Sequence, residues 1–419
     1  MYEDIRCGGS ITPEIIFHKT SGDGGLLGRL DLVSGIRERT GFEYMRVKRT
    51  VLMDAMLKAV ENVGDGIEVR FGERLVDITE NGDEERGERR RRRRRTTVTA
   101  RFESGIVDTA DLLVGCDGIH SAVRSLYVNP GGGAQPEYSG VASMSSIIKM
   151  ETHLEGLHFT FTARGSMAVL PCVDSPPASS STEATTTTTT TAETTGTQKE
   201  LFWFITRHIP PPTDAADARD GWNEHRAKEV EGFKNTAQDF VQDVQGEWGD
   251  FLRAVIDHTQ SVNFYPIYRL PRDDANGNAN GNDNGNARPW HRGRVVLVGD
   301  AAHAMSPHVG QGVSMALEDV FLLVRVVGPQ AGGDDNGSLE EMLSRFESIR
   351  KPRVEGMAAK AASNARASKT KHAWQMAVME WALWAWLWKS WLFKGSSIWG
   401  LSADDDIAYD IEEVDIHAA

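Results

Sequence analysis

Apolar positions along the chain recur at two periods, and the switches between them outline the fold. Val51, Leu52, Ala55, Met56, Ala59 and Val60 lie at helical spacing and predict a helix over 50–61. Residues 67–71, 74–79, 96–103 and 106–114 read as strands, and a strand-rich middle follows at 138–150, 158–171 and 200–207. The short apolar run Val295-Val296-Leu297-Val298 predicts a buried strand that leads through Gly299-Asp300 to a helix over 312–327. From Leu339 onward the pattern is helical. A nucleotide-type α/β domain interrupted by a β-rich domain accounts for this order.

Three low-complexity segments interrupt the pattern. Residues 89–95 are an unbroken arginine run, 179–197 are mostly serine and threonine, and 275–287 are largely Asn, Gly and Asp. None has the apolar content to order itself, so each reads as a loop expansion. Strand-like flanks at 75–79 and 97–102 make the arginine run the solvated tip of a hairpin rather than a targeting or nucleic-acid signal.

Composition narrows the class. With 419 residues, 40% apolar and 25% charged, the chain can bury one large core or two smaller ones. A formal net charge of -14 argues against nucleic acid as the main partner. Cys7, Cys116 and Cys172 are too scattered for a disulfide framework or a zinc site, so no metal is expected and a reducing, cytoplasmic setting is. No signal peptide opens the sequence, and no run reaches the 18 or so apolar residues of a membrane span.

The chemistry concentrates at 293–319. After the apolar strand, Gly299-Asp300 brings a small residue and a carboxylate to a ligand, and the carboxylate can accept hydrogen bonds from hydroxyls. Pro307 stiffens the loop, Gly310 and Gly312 let backbone approach something flat, and the helix beginning at Gly312 offers unpaired N–H groups and its positive dipole end. A second buried strand ends in Gly115-Cys116-Asp117-Gly118, followed by Ser121 and Arg124. Arg49, with Leu52, opens the helix at 50–61.

These segments resemble the FAD motifs of class A flavin monooxygenases, the group typified by para-hydroxybenzoate and salicylate hydroxylases. The resemblance covers roughly residues 37–353 without the inserts. It implies that Gly299-Asp300 meets the ribitol of FAD and that Pro307, Gly310, Gln311 and Gly312 lie against the isoalloxazine. It further implies that Asp117, Gly118 and Arg124 serve FAD and NAD(P)H together, and that Arg49 reaches the pyrophosphate. The activity implied is NAD(P)H-dependent hydroxylation of an aromatic or polyketide-like substrate by O2 through a flavin C4a-hydroperoxide. No fixed catalytic side chains follow, because the oxygen chemistry belongs to the flavin. The alternatives are a truncated, flavin-poor remnant without activity and another FAD oxidoreductase on the same fold.

One departure concerns the start. The family opens with a strand, a Gly-x-Gly-x-x-Gly turn and a helix. Cys7-Gly8-Gly9-Ser10 and Gly22-Asp23-Gly24-Gly25 lack that spacing, so the unit is expected upstream of residue 1. The expected architecture is a Rossmann-like FAD/NAD(P)-binding domain, N-terminally incomplete, over 1–130 and 271–353. A β-rich substrate domain over 131–270 interrupts it, and a helical tail over 354–419 follows.

On the substrate side, 158–162 and 201–204 are candidate pocket strands, although aromatic strand residues are more often plain core. Tyr265, Tyr268 and His303 are candidate polar contacts. The tail from Trp374 to Trp399 holds seven of the eleven tryptophans. Docking onto the body or onto a second subunit, as in a homodimer, is favoured there over contact with a membrane surface.

Overall fold

The two periods resolve into ten helices and fifteen strands among the described residues of the computed structural model. These residues are 2–20, 24–31, 33–64, 66–81, 96–131, 135–172, 197–212, 218–271, 288–328, 338–365, 371–392 and 409–416. The three low-complexity segments, and with them the hairpin tip expected at 89–95, lie outside them, save Thr197.

The chain begins α1 (Tyr2–Cys7), β1 (Gly9–Ile11), β2 (Glu14–His18), β3 (Leu26–Asp31), α2 (Val33–Thr40), β4 (Met45–Val47) and α3 (Arg49–Glu61). Strands β5 (Leu75–Asn81), β6 (Thr97–Phe102), β7 (Val107–Ala110) and β8 (Leu113–Gly115) follow, then one π turn at Arg124–Val128. Next come β9 (Glu137–Thr152), β10 (Leu157–Thr162), β11 (Gly165–Pro171) and β12 (Thr197–His208). Helices α4 (Ala218–Glu231), α5 (Phe233–Val241) and α6 (Gly246–Asp257) lead to β13 (Asn263–Arg269). The remainder is β14 (His291–Arg292), β15 (Val295–Leu297), α7 (Asp300–His303), a 3-10 turn at Pro307–Val309, α8 (Gly312–Val327), α9 (Leu339–Ala365) and α10 (Ala373–Leu392).

These elements divide into two compact units. One comprises residues 1–68, 140–266 and 367–409, the other 69–139, 267–366 and 410–419.

The first unit is built on a seven-stranded sheet in the order β13-β9-β12-β11-β10-β2-β3. Alternation sends Leu201, Trp203, Ile205, Met167 and Val169 to one face, where Phe240, Leu252, Val255 and Ile256 of α5 and α6 close the core. The buried indoles keep their N–H groups paired, Trp203 to Thr259 at 3.0 Å and Trp248 to Thr160 at 2.8 Å. On the same face His18 and His158 share a 2.8 Å hydrogen bond and stack on Trp248. Phe17, Phe159, Phe161, Phe202 and Phe204 gather on the opposite face. Helix α10 packs on β3, where a Cβ added to Gly28 would meet Leu387 at 2.6 Å.

In the second unit β5, β6 and β7 form an antiparallel sheet. A separate sheet has the order β14-β15-β8, with β15 parallel to β8. Val295, Val296, Leu297 and Val298 are 0–3% exposed, as a strand covered on both faces requires. Met315, Leu322 and Val326 of α8 pack there with Leu343, Phe346, Val354 and Met357 of α9. The outward side of α8 is also apolar: Val313, Leu317, Val320, Phe321 and Val324 are all exposed, as is Val114 on the edge strand β8.

Several local expectations change. Residues 67–71 form no strand; their alternating Ile67, Val69 and Phe71 find no partner and stand exposed. The stretch 106–114 is two strands in two sheets, broken by a bend at Asp111. Residues 9–47 contribute four strands, and 218–257 three helices, that the strand pattern did not foresee. Helicity after Leu339 is interrupted between α9 and α10, and 409–416 are turns.

Candidate functional site

Parallel pairing of Val295 with Leu113 and Leu297 with Gly115 brings the two acidic glycine turns together. Asp117-Gly118 and Gly299-Asp300 therefore leave neighbouring strands at the same, carboxyl, edge, where open α/β sheets bind ligands. Val298 N–H donates to the Gly115 carbonyl at 3.0 Å and locks the register just before the turns diverge.

Gly299 adopts φ 58° and ψ -143°, a conformation that L side chains rarely reach. What holds it there is Asp319, a fully buried carboxylate four residues after Met315 on the inner stripe of α8. Its Oδ2 accepts from Gly299 N–H at 2.7 Å and meets His303 Nε2 at 2.6 Å, while Oδ1 accepts from Arg350 Nε at 2.8 Å. Arg350, also fully buried, continues to Glu318 at 2.8 Å and to the Met315 carbonyl at 3.2 Å. Arg353 closes the network on both oxygens of Glu318, at 2.7 and 2.6 Å. Burial alone would raise the Asp319 carboxyl, but His303, Arg350 and the Gly299 N–H together hold it below the usual carboxylate range.

Asp300 opens α7 and keeps an exposed face. Desolvation by the surrounding loop nevertheless pushes its carboxyl above the ordinary value, against an opposing influence of His303. Pro307 begins the 3-10 turn, and Gly310 ends it in the left-handed region at φ 66°. Gln311 is the N-cap of α8 and makes no side-chain capping bond, so the first N–H groups of this 16-residue helix have no cap from that side chain. A Cβ added to Gly310 or Gly312 meets nothing within 4 Å, which leaves an open backbone shelf before the helix. Both ring nitrogens of His308, in the same loop, are buried without a hydrogen-bond partner, and burial lowers its imidazole below the ordinary range.

The Asp117 carboxylate accepts the Ala122 and Val123 N–H groups at 2.7 and 3.1 Å and the Ser121 hydroxyl, which makes it the cap of the following turn. Gly118 sits at φ 79° with open space around its Cβ position. Arg124 is buried and donates to the Ala301 carbonyl at 2.7 Å and to the Ile119 carbonyl, tying the first turn to the second. Behind Ala302–Ala304 lies a cavity of about 80 Å³ whose lining includes Arg124, Trp290, Lys351 and Glu355.

The remaining candidates are distributed over both units. Arg49 belongs to the first unit, exposed at the first position of α3. Tyr265 is exposed in the first unit, whereas Tyr268, in the second, packs edge-on against His120 and near Tyr138. His303 is buried between Asp319 and Trp290 and braces the turn from within. Sequence reasoning gave no role to Asp319, Arg350 or His308. The available signal was an acid in line with the apolar stripe Met315, Leu322 and Val326 of α8.

A family model described as an FAD binding domain matches residues 22–220 and 270–361, more than half of the chain. The chain belongs to the class A FAD-dependent monooxygenase family. It is 28% identical over 317 residues to a salicylate hydroxylase of Pseudomonas putida, covering 75% of this chain and 61% of that enzyme. A 6-hydroxynicotinate 3-monooxygenase of Bordetella bronchiseptica is 24% identical over 346 residues, 82% of this chain and 72% of the relative. The chain thus spans about 60% of the length of the two Pseudomonas putida salicylate hydroxylases it matches. Its fold is shared with Klebsiella pneumoniae HpxO, solved with FAD and uric acid, at a TM-score of 0.64 and 19% identity over 97% of this chain and 82% of that one. The mixed α/β FAD-binding architecture with a β-rich region and a C-terminal helical segment is the fold of this family. Among the described residues no helix is long and apolar enough to cross a membrane.

Proposed function

We propose that this chain is an NAD(P)H-consuming FAD monooxygenase that hydroxylates a small aromatic or polyketide-like substrate in the cytoplasm. The observation that carries the reading is the pair of acidic glycine turns at the ends of β8 and β15, followed by the shelf at Gly310–Gly312 that opens α8. The chemistry of these residues suits FAD: the glycine shelf carries no side chain to bar a flat group, and the start of α8 offers N–H groups that Gln311 does not cap. When bound, FAD supplies hydride acceptance from NAD(P)H and activation of O2.

The chain's own residues do the rest. Asp300 would accept hydrogen bonds from the ribitol hydroxyls, with Gly299 giving the close backbone approach. Pro307, Gly310, Gln311 and Gly312 would lie along the ring, where the positive end of α8 favours negative charge. Asp117, Gly118 and Arg124 act as positioning residues: they shape one turn and hold the carbonyl of Ala301 in the other. Arg49 is the candidate for the pyrophosphate. Residues 131–270 supply the substrate side, and holding the ring there while excluding water is the protein's contribution to productive turnover.

The purified chain titrated with FAD should quench flavin fluorescence and shift its absorption, and Asp300→Ala should weaken this binding. A protein that stays colourless overturns the reading in favour of a remnant. Salicylate and 6-hydroxynicotinate, named for the two relatives, form the first substrate panel. Substrate-dependent NADPH oxidation without hydroxylated product would instead make the chain a reductase or oxidase.

A further inference from the structure

The cavity behind Ala302–Ala304 is lined with positive charge, against the sign of the whole chain. Arg124, Arg288 and Lys351 line it from three separate segments, and Glu355 is the one carboxylate among its described lining residues. Asp117, Asp300 and Gly310–Gly312 are not part of its wall, so it is a different place from the glycine shelf.

The three cations are held in unlike ways. Lys351 is already paired: its Nζ meets Glu347 at 2.6 Å and donates to the Arg288 carbonyl at 2.8 Å. Arg288 Nη1 donates to the Pro271 carbonyl at 2.9 Å, which fixes that segment further. Arg124 is 5% exposed, and its hydrogen bonds run only to two carbonyls, those of Ala301 and Ile119. Asp117 acts on it through space alone, because that carboxylate is committed to Ser121, Ala122 and Val123. A guanidinium has five N–H donors, so three of those on Arg124 remain for a further acceptor. Burial holds this guanidinium below its ordinary range; Asp117 works against that, and Arg288 adds to it. Two guanidiniums at one partly enclosed cavity repel each other, and desolvation disfavours each charge. An anion between them reverses both effects.

We propose that this cavity is an oxyanion site, taking a phosphate or sulfate ion between Arg124 and Arg288 with Lys351 beside it. The planar fork of a guanidinium matches two oxygens of such a group. Cations arriving from the segment after β8, from the one before β14 and from α9 suit a tetrahedral ion. A flat carboxylate is satisfied by one guanidinium alone. A single water needs about 10–15 Å³ of such space. The cavity has about 80 Å³, enough for an ion of five heavy atoms. Glu355, exposed on α9, opposes the ion by its charge. The ion also reaches the neighbouring turn: Arg124 carries the Ala301 carbonyl, so fixing its guanidinium steadies the segment after Gly299. The site stands whether or not the chain binds flavin.

Calorimetric titration of the full chain, without FAD, with sodium phosphate and with sodium sulfate tests the proposal, ionic strength being held constant with chloride. Saturable binding of both ions is expected, with acetate at least about tenfold weaker. Arg288→Gln should weaken phosphate binding about tenfold or more, and Glu355→Gln should tighten it about threefold. Glu355 is exposed, so its variant reports even if Arg288→Gln fails to fold. On the wild-type chain, phosphate should slow hydrogen exchange over 119–124 and 299–304, which locates the ion without any substitution. The proposal is overturned if the response grows with salt without saturating, as general exclusion of these ions from the surface predicts. It is equally overturned if saturable binding ignores both substitutions, or if exchange slows elsewhere and not in these segments. Acetate binding as tightly as phosphate overturns the assignment to a tetrahedral ion.

Discussion

Replacing Asp319 should unsettle the Gly299–Asp300 turn without substituting any residue expected to meet a ligand. Asp319→Ala leaves three buried donors short of an acceptor: Gly299 N–H, His303 and the fully buried Arg350 guanidinium. Breaking a buried charge pair costs about 3–5 kcal/mol. Arg350 keeps Glu318 and the Met315 carbonyl, which places the loss near the lower end, at about 3 kcal/mol. Against a total stability of about 5–15 kcal/mol this is readily measured by urea unfolding. Hydrogen exchange over 295–303 assigns the loss to the turn, and FAD affinity reports its effect on the site. The double variant Asp319→Leu/Arg350→Met should cost less than the sum of its singles, since it removes the uncompensated charge.

The same carboxylate makes a pH prediction. Its folded pKa lies below the unfolded value of about 3.9, so its contribution is complete above that pH and fades as pH falls through the folded value. Asp319→Asn should remove that part of the acid limb. An Asp319→Ala protein within about 1 kcal/mol of wild type and with unchanged exchange at Gly299, or strict additivity in the double variant, would refute the reasoning.

Further outcomes follow from other parts of the structure. Gly310→Ala should cost only about 1–2 kcal/mol of backbone strain, because its Cβ meets no protein atom, so any larger loss of FAD affinity in a titration measures contact with the ligand. Gly299→Ala should destabilise by about 1–3 kcal/mol even without ligand, since strain at φ 58° adds to a 3.1 Å approach to Ala316 Cβ. Arg124→Met should weaken FAD binding while leaving Asp300 intact, because it releases the Ala301 carbonyl; unchanged affinity would show that the tie is dispensable. His18 and His158 are held to about 3 and about 4, chiefly by burial and then, for His18, by His158 and Arg29. The unfolded chain therefore takes up these protons first, and stability should fall as pH drops from about 6.5 toward 4, by up to roughly 1.4 kcal/mol per unit per histidine. His158→Gln should flatten that slope in urea midpoints measured between pH 7 and 5.

What was legible in the sequence was local. The helix at 312–327 and the strand at 295–298 announce themselves by period and by flanking glycines, and the parallel pairing of β15 with β8 turns two separate motifs into one site. Long-range partners were not legible. Strand β2 is five residues long and joins β10 across some 140 positions, so nothing near Glu14–His18 signals its place in a sheet. Helices α5 and α6 do carry a helical stripe, at Phe233, Ala237, Phe240 and Val241 and at Trp248, Leu252, Val255 and Ile256, but surrounding strands outweighed it. Asp319 and Arg350 needed tertiary structure because their meaning lies in each other. A stripe on α8 also does not reveal which of its two apolar sides is covered.

That double-sided helix has a consequence for how the protein behaves in concentrated solution. Among the described residues Val114 of β8 is exposed, and the ridge of Val313, Leu317, Val320, Phe321 and Val324 lies on a helix of the same unit. Exposed apolar surface rewards an encounter between two molecules. Repulsion between molecules carrying a formal -14 holds them apart only while it is felt across the gap. At about 0.1 M salt the Debye length shrinks to about 10 Å. Colloidal stability should therefore decline as ionic strength rises, and low-salt buffer is the condition in which this chain stays dispersed.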